Sequence, residues 1–452
     1  MKKLLLTISI LLAPAMFTVA QEGQPSLQSI YQQFAFTLYD KVMEESVDNN
    51  IFSPLSAQIA LSMAQNGAAG NTLAQMQEAL GTTGYTTEQV NDYNKNLAGE
   101  ITYRPPFDYD AASKEERDAY DAFYPKCELS NGLWSQYGFP LYDSFRLLLE
   151  DQYQAATGEV DFGSQEGIDE INQWVDEKTH HLIPSILDGP NTSILLMLAN
   201  ALYFKGSWSS AFDEYRTEKA DFRLSDGSSI KVDMMKKSMY LLTAATDRFS
   251  MVSVPYGAGD FSMTLFLPHT DLLPALTYDD WLAAMNSSTY KPVALQLPKF
   301  EIGGHYSLNK ALQAMGMTEA FSFNADFSKM SQAHLFLDII AQCARIIVNE
   351  KGTEAAAVTY MEWTSGEINT DEDFVVDHPF YFTIEHKPSK TVLFMGRMCQ
   401  SKGLAASPDG IAALTATPRT SAPGLYDLSG RPLPAVPQRG LYIQDGKKRV
   451  AH

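Results

Sequence analysis

The sequence predicts an α+β protein, on three observations. Near the N-terminus apolar residues recur every four positions, at Ile30, Phe34, Leu38 and Val42, the spacing of an amphipathic helix over 26–45. Leu195 to Gly206 is a near-continuous apolar run, the pattern of a strand buried on both faces. Between two further strand signals, Leu337–Val348 and His378–Ile384, lies the stretch from Asn349 to Thr359. Its alternate residues Thr353, Ala355, Ala357 and Thr359 are small and uncharged, and Glu354 falls in the other set. One face is therefore fit for burial. Alanine is a poor strand former, so the stretch can become a strand but is weakly one on its own.

Asn50-Ile51-Phe52-Ser53-Pro54 leads into a second helix, with Ser53 as N-cap and Pro54 at the first helical position. Ile59, Ala60, Leu61, Met63 and Ala64 make this helix apolar nearly all round, so it is expected in the core. The segment Gly67 to Thr72 breaks it, and a third helix runs to a stop at Gly81. Residues 103–126, opened by Pro105-Pro106, are acidic and tyrosine-rich and read as a solvated excursion. Ser130–Trp134 reads as a strand, and 165–180 as a helix with Ile168, Ile171, Trp174 and Val175 on one face. A hairpin follows, Met251–Tyr256 and Phe261–Leu267 joined by Gly257-Ala258-Gly259-Asp260. Leu295–Phe300 is another strand, and a short helix surrounds Leu308 and Leu312. Residues 401–423, rich in Ala, Pro, Ser and Thr, form a linker, and 424–452 a short β tail with a hairpin at Asp445-Gly446.

The formal net charge of −20 argues against nucleic-acid or heparin-like partners, whose phosphates and sulfates need a basic surface. Residues 1–20 have the form of a secretory signal: Lys2 and Lys3, an apolar run from Leu4 to Val19, and small residues before the cut at Ala20. The expected location is secreted or cell-surface, extracytoplasmic. No later stretch reaches transmembrane length. Three cysteines, Cys127, Cys343 and Cys399, do not make a disulfide framework, and Cys343 is expected as a buried, inert thiol.

The usual enzyme signatures are absent. There is no His-x-x-x-His pair, no Gly-x-Ser-x-Gly elbow and no phosphate or dinucleotide glycine pattern. His180-His181 end a helix and are read as capping it. The reading is therefore not an enzyme, with no cofactor and no metal.

The wording Glu350-Lys351-Gly352-Thr353-Glu354-Ala355-Ala356 resembles the hinge of the serpin family. The stretch 50–81, Asn200-Ala201-Leu202-Tyr203-Phe204-Lys205-Gly206-Ser207-Trp208, Phe321-Ser322, and Leu393-Phe394-Met395-Gly396-Arg397 resemble the same family, over roughly 26–400 and in its order. The resemblance implies a serpin fold of about nine helices and three β-sheets with an exposed reactive-centre loop. It also implies suicide-type inhibition of serine or cysteine endopeptidases, in which a cut loop inserts into the main sheet as an extra strand. Its hinge would be Glu350, Gly352, Thr353, Glu354, Ala355, Ala356 and Ala357. The breach, where the loop enters, would hold Trp208, Lys299 and Glu350. The shutter beneath would hold Ser53, Ser56, Asn200 and Gln342; serpins usually carry a His where Gln342 stands.

Counted from Glu350 as serpins are spaced, the reactive bond is Gly366–Glu367; counted back from Pro379 it falls at Ile368, with Thr364 and Ser365 as neighbours. No Lys or Arg lies between Thr353 and Asp377, which favours an elastase-like or subtilisin-like target. The alternatives are a non-inhibitory serpin, whose hinge is usually bulky or charged, and a surface-anchored binding protein. The tail resembles the sorting signals of bacterial type IX secretion.

Overall fold

The computed structural model describes residues 24–44, 48–270, 273–337, 340–353, 370, 372–404, 425–426, 440–444 and 447–451. They fall in two compact units, Met1–Ala406 and Ser407–His452.

The first unit begins with α1 (Leu27–Met43), β1 (Asn50–Phe52), α2 (Pro54–Gln65), α3 (Gly70–Ala79), α4 (Thr87–Ile101) and α5 (Lys114–Phe123). Then come β2 (Lys126–Gln136), α6 (Asp143–Tyr153), β3 (Ala156–Val160), α7 (Gln165–Lys178) and β4 (Leu196–Ser207). β5 (Glu218–Arg223), β6 (Ser229–Ala245), β7 (Phe249–Tyr256), β8 (Phe261–Pro268), α8 (Tyr278–Ser287) and β9 (Thr289–Pro298) follow. The unit closes with β10 (Phe300–Ser307), α9 (Asn309–Ala314), β11 (Ala341–Asn349), β12 (Gly352–Thr353), β13 (Asp373–Val375), β14 (Phe380–His386) and β15 (Thr391–Met398). The second unit holds a three-stranded sheet of β16 (Leu425–Tyr426), β17 (Gly440–Gln444) and β18 (Lys447–Ala451).

Side-chain caps explain most helix starts. Ser53 caps α2 by accepting from Ser56 N–H with Pro54 at the first turn, and Ser164 caps α7. Thr86–Gln89, Ser113–Glu116 and Thr277–Asp280 form reciprocal capping boxes on α4, α5 and α8. α2 is buried along nearly its whole length and packs beneath β4 and β15, so its all-round apolar pattern matches its place.

Two sheets organise this unit. One has six strands in the order β10-β11-β12-β4-β2-β3. The other has nine, β1-β15-β14-β8-β7-β6-β9-β13, with β5 also on β6. The 17-residue β6 explains why this second sheet is continuous: it pairs successively with β5, β9 and β7. Nine α-helices stand among the described residues, and two of the three expected sheets are thus fused through one long strand.

Two expectations are corrected. β4 is not buried on both faces: Ala199, Ala201 and Tyr203 are buried, but Leu198, Asn200 and Leu202 are only half-buried. Among the described residues β4 is paired along its length on one side only, by β2. The 103–126 segment is largely solvent-exposed, as expected of an excursion, but it has structure of its own. It contains α5, and its rings pack on one another, Phe107 against Tyr120 at 4.2 Å and Tyr120 against Tyr124 at 4.9 Å. The guanidinium of Arg104 lies 4.5 Å from the centre of the Tyr120 ring and pairs with Asp121 at 2.6 Å. Cys127, Cys343 and Cys399 form no disulfide; Cys127 and Cys399 are buried, whereas Cys343, expected to be buried, is only partly so.

Candidate functional site

The site is the end of the six-stranded sheet where β11 turns back on itself. Asn349 Oδ1 accepts the Lys351 N–H at 2.9 Å, a local side-chain turn that reverses the chain. Gly352 and Thr353 then run antiparallel between two strands, opposite Asn349 and Val348 of β11 and opposite Ser207 and Gly206 of β4. Gly352 has φ +147°, and a Cβ there would sit 2.1 Å from the Gly206 carbonyl oxygen, so only glycine fits. Among the described residues, β4 and β11 are joined through Gly352–Thr353 alone.

Three successive carbonyls of the turn are satisfied from one short segment after β4. Trp208 Nε1 donates to Asn349 O at 2.9 Å, Phe212 N to Glu350 O at 2.8 Å, and Trp208 N to Lys351 O at 2.9 Å. The Glu350 carboxylate lies 3.0 Å from Lys299 Nζ and accepts from the Thr217 hydroxyl at 2.9 Å. Burial pushes this carboxyl up, but hydrogen bonds from its own backbone N–H, Lys299 and Thr217 outweigh that and hold it below its ordinary value. Lys351 Nζ reaches Glu214 at 3.4 Å.

Thr353 is the innermost described residue of the hinge, 2 % exposed. Its hydroxyl lies 2.5 Å from the Tyr256 hydroxyl, and the Tyr256 ring stacks on Trp208 at 4.4 Å. The expected breach residues Trp208, Lys299 and Glu350 are therefore brought together. Sequence reasoning assigned no breach role to Tyr256, Thr217 or Asn349. Tyr256 ends a hairpin strand, and nothing in its immediate sequence points to a residue 97 positions away.

The expected shutter residues also meet. Gln342 clasps Ser53 through both ends of its amide: Ser53 N donates to Gln342 Oε1 at 3.0 Å, and Gln342 Nε2 donates to Ser53 O at 2.5 Å. Ser53 Oγ donates to Leu393 O at 2.7 Å, and Ser56 Oγ to Asn200 O at 3.3 Å. Asn200 Nδ2 donates to Asn131 Oδ1 at 2.7 Å, and Asn131, which the sequence did not single out, donates in turn to Tyr153 O at 2.7 Å. The buried Asn200 Oδ1 has no hydrogen-bond partner among the described residues.

Glu354, Ala355, Ala356 and Ala357 of the hinge, and Thr364, Ser365, Gly366, Glu367 and Ile368 around the expected reactive bond, lie outside the described residues. The chain is described again at β13, which pairs in parallel with β9. His180 and His181 follow α7 with left-handed backbone; His180 contacts Glu128 and His181 contacts Asp176, each at 2.5 Å. Burial pushes the Cys343 thiol up to about 12, which disfavours the nucleophilic thiolate. Among the described residues no group of His, Cys, Asp and Glu could hold a metal ion, and no helix is long and apolar enough to cross a membrane.

The fold and this site define a class of protein in which a short hinge strand, Gly352–Thr353, sits between β11 and β4 of the six-stranded sheet. The chain belongs to the serpin (serine protease inhibitor) family, whose model matches residues 29–401. It is 31 % identical over 398 residues to the leukocyte elastase inhibitor of Sus scrofa, covering 82 % of this chain and 98 % of that one. It is 33 % identical over 373 residues to Serpin-Z10 of Arabidopsis thaliana, covering 77 % and 91 %. Among solved structures it is similar to the cleaved Serpin 42Da, with TM-score 0.70 and 26 % identity over 82 % of this chain and 98 % of that one. The native thermophilic serpin Tengpin superposes with TM-score 0.71 at 25 % identity, over 84 % and 96 %.

Proposed function

We propose that this chain is a secreted, suicide-type inhibitor of serine or cysteine endopeptidases. The observation that carries the reading is the seat of Thr353. The first small residue of the hinge already occupies a strand position between β4 and β11, and the residues after it in the alternating pattern are small as well. Cleavage beyond the hinge frees one end of the chain. Continuing the strand from Thr353 then satisfies backbone groups along β4 and β11 and covers Leu198 and Leu202. A protease still joined to that end as an acyl-enzyme travels with it and is distorted before water releases it. The native state is in this reading held by a barrier rather than by being the most stable state.

An elastase-like or subtilisin-like target is favoured by the absence of Lys and Arg between Thr353 and Asp377, and by similarity to a leukocyte elastase inhibitor. The leader at residues 1–20 and the β tail support export, with the tail acting as a sorting signal at the cell surface. A panel of endopeptidases run on denaturing gels tests the proposal. Complexes that survive denaturation establish inhibition. Clean cleavage with no complex makes the protein a non-inhibitory serpin, and no reaction with any protease favours a surface-anchored binding protein.

A further inference from the structure

The insertion that precedes β2 ends against the same turn that carries Tyr256. Ala258 N donates to Phe123 O at 2.7 Å, and Gly257 packs so closely on this segment that a Cβ would lie 2.3 Å from Phe123 O and 2.8 Å from Pro125 Cδ. The turn is fixed from the other side by β4 and the residues after it. Gly257 N donates to Ser207 O at 2.8 Å, and Ser209 Oγ to Gly257 O at 2.6 Å. Gly257 is thus clamped between the insertion and the strand opposite Gly352. Tyr256, the residue before it, stacks on Trp208 and holds the Thr353 hydroxyl.

The insertion is held together by contacts of its own. α5 is capped by Ser113 and Glu116, and Arg104 is locked between the Tyr120 ring and Asp121. Tyr109 donates to Asp121 at 2.7 Å, and the Tyr120 hydroxyl to Pro105 O. The Arg104–Asp121, Tyr109–Asp121 and Tyr120–Pro105 contacts tie the start of the insertion to its end, next to Phe123.

We propose that residues 105–124 are a brace for the hinge: they fix the Gly257–Gly259 turn, the turn fixes Tyr256, and Tyr256 keeps Thr353 seated in the sheet before any cleavage. Tyr256 is then a positioning residue for loop insertion. In its consequence this rests on the inhibitory reading, because a seated Thr353 lets insertion start from a formed strand rather than from free chain. The seat itself is a property of the intact protein and is tested without a protease.

The experiment is hydrogen exchange on the intact, uncleaved protein, read at the Lys351–Thr353 amides. Three variants are compared with wild type: residues 105–122 replaced by a short Gly-Ser linker, Tyr256→Phe, and both together. The expected result is an exchange rate at the hinge raised about tenfold in each single variant, the effect of about one hydrogen bond, and no further rise when they are combined. Unchanged hinge exchange in the linker variant, or effects that multiply in the double variant, overturns the brace. If the linker variant does not fold, Tyr120→Ala keeps the chain length and empties the ring cluster; raised hinge exchange supports the brace and unchanged exchange overturns it. A protein that traps no protease yet shows this coupling loses the inhibitory reading and keeps the brace.

Discussion

Lys299 Nζ lies 3.0 Å from one oxygen of Glu350 and 3.1 Å from the other, at the point where β9 ends and the hinge begins. The lysine is half-exposed and the glutamate is nearly covered, so solvent screens the pair from one side only.

Replacing Lys299 by Met should remove a charge-assisted contact and leave Glu350 with Thr217 as its remaining side-chain donor. The expected loss is about 1–2 kcal/mol of native-state stability at neutral pH, after allowing for the exposure of Lys299. Because the folded-state pKa of Glu350 lies below its ordinary value, the contribution is present above that value and is lost as pH falls through the folded one. The difference between wild type and variant should therefore shrink on acidification below about pH 4.5. Thermal melts at neutral and acid pH check this; a variant that melts like wild type at neutral pH refutes it.

Under the proposed inhibitory mechanism, Thr353→Arg should turn the protein from inhibitor into substrate. The side chain at this position is 2 % exposed and faces Tyr256, and burying an unpaired guanidinium costs several kcal/mol, on the order of the loss of two or more hydrogen bonds. Slower insertion gives the acyl-enzyme time to hydrolyse. The stoichiometry of inhibition should rise steeply, and an unchanged value would remove Thr353 from the inward set.

The rate of loop insertion should be flat between about pH 5 and 8, because the Ser53–Gln342 clasp contains no group that titrates there. Gln342→His should introduce a dependence near about pH 6.5. Stopped-flow rates across the range decide it, and a steep wild-type profile would count against the clasp as the controlling contact.

Native-state stability, as distinct from insertion rate, should fall with acid because of His386. This ring is buried against Phe261, and burial pushes its pKa down from 6.5 to about 4, with Asp260 opposing. A folded value below the unfolded one means that stability is full above about pH 6.5 and is lost as pH falls toward about 4. His386→Gln should flatten this part of the stability profile. A profile as steep in the variant as in wild type would assign the acid effect elsewhere.

The expected reactive bond is Gly366–Glu367, from the hinge-side count, rather than at Ile368 from the far side. The hinge-side ruler is the better one, because insertion length decides how far a trapped enzyme travels. Mass spectrometry of the released C-terminal fragment measures it; a fragment beginning before Ser365 or after Asn369, from a protease that is trapped, would sink the assignment.

Much of the site was legible because its parts sit in contiguous, recognisable wording. Lys299, Trp208 and Glu350 were placed together by the resemblance to the serpin family, and Ser53 announces itself as a helix cap. What was not legible depends on contacts that leave no local pattern. The Tyr256–Thr353 contact joins two uncharged residues far apart in the chain. The docking of the insertion uses the backbone carbonyl of Phe123, a group that every residue carries. The single strand read from Leu295 to Phe300 is two, β9 and β10, because Lys299 N turns to Asp233 O at 2.9 Å. The long β6 escaped because no periodicity distinguishes one strand paired in three successive ways from three strands.

None of the three cysteines forms a disulfide, and burial pushes each thiol up. The native state of this protein therefore owes nothing to an oxidant. Whether the polypeptide folds in a reducing cytosol or an oxidising exterior, its fold calls for no disulfide, and an expression host needs no disulfide catalyst to make it.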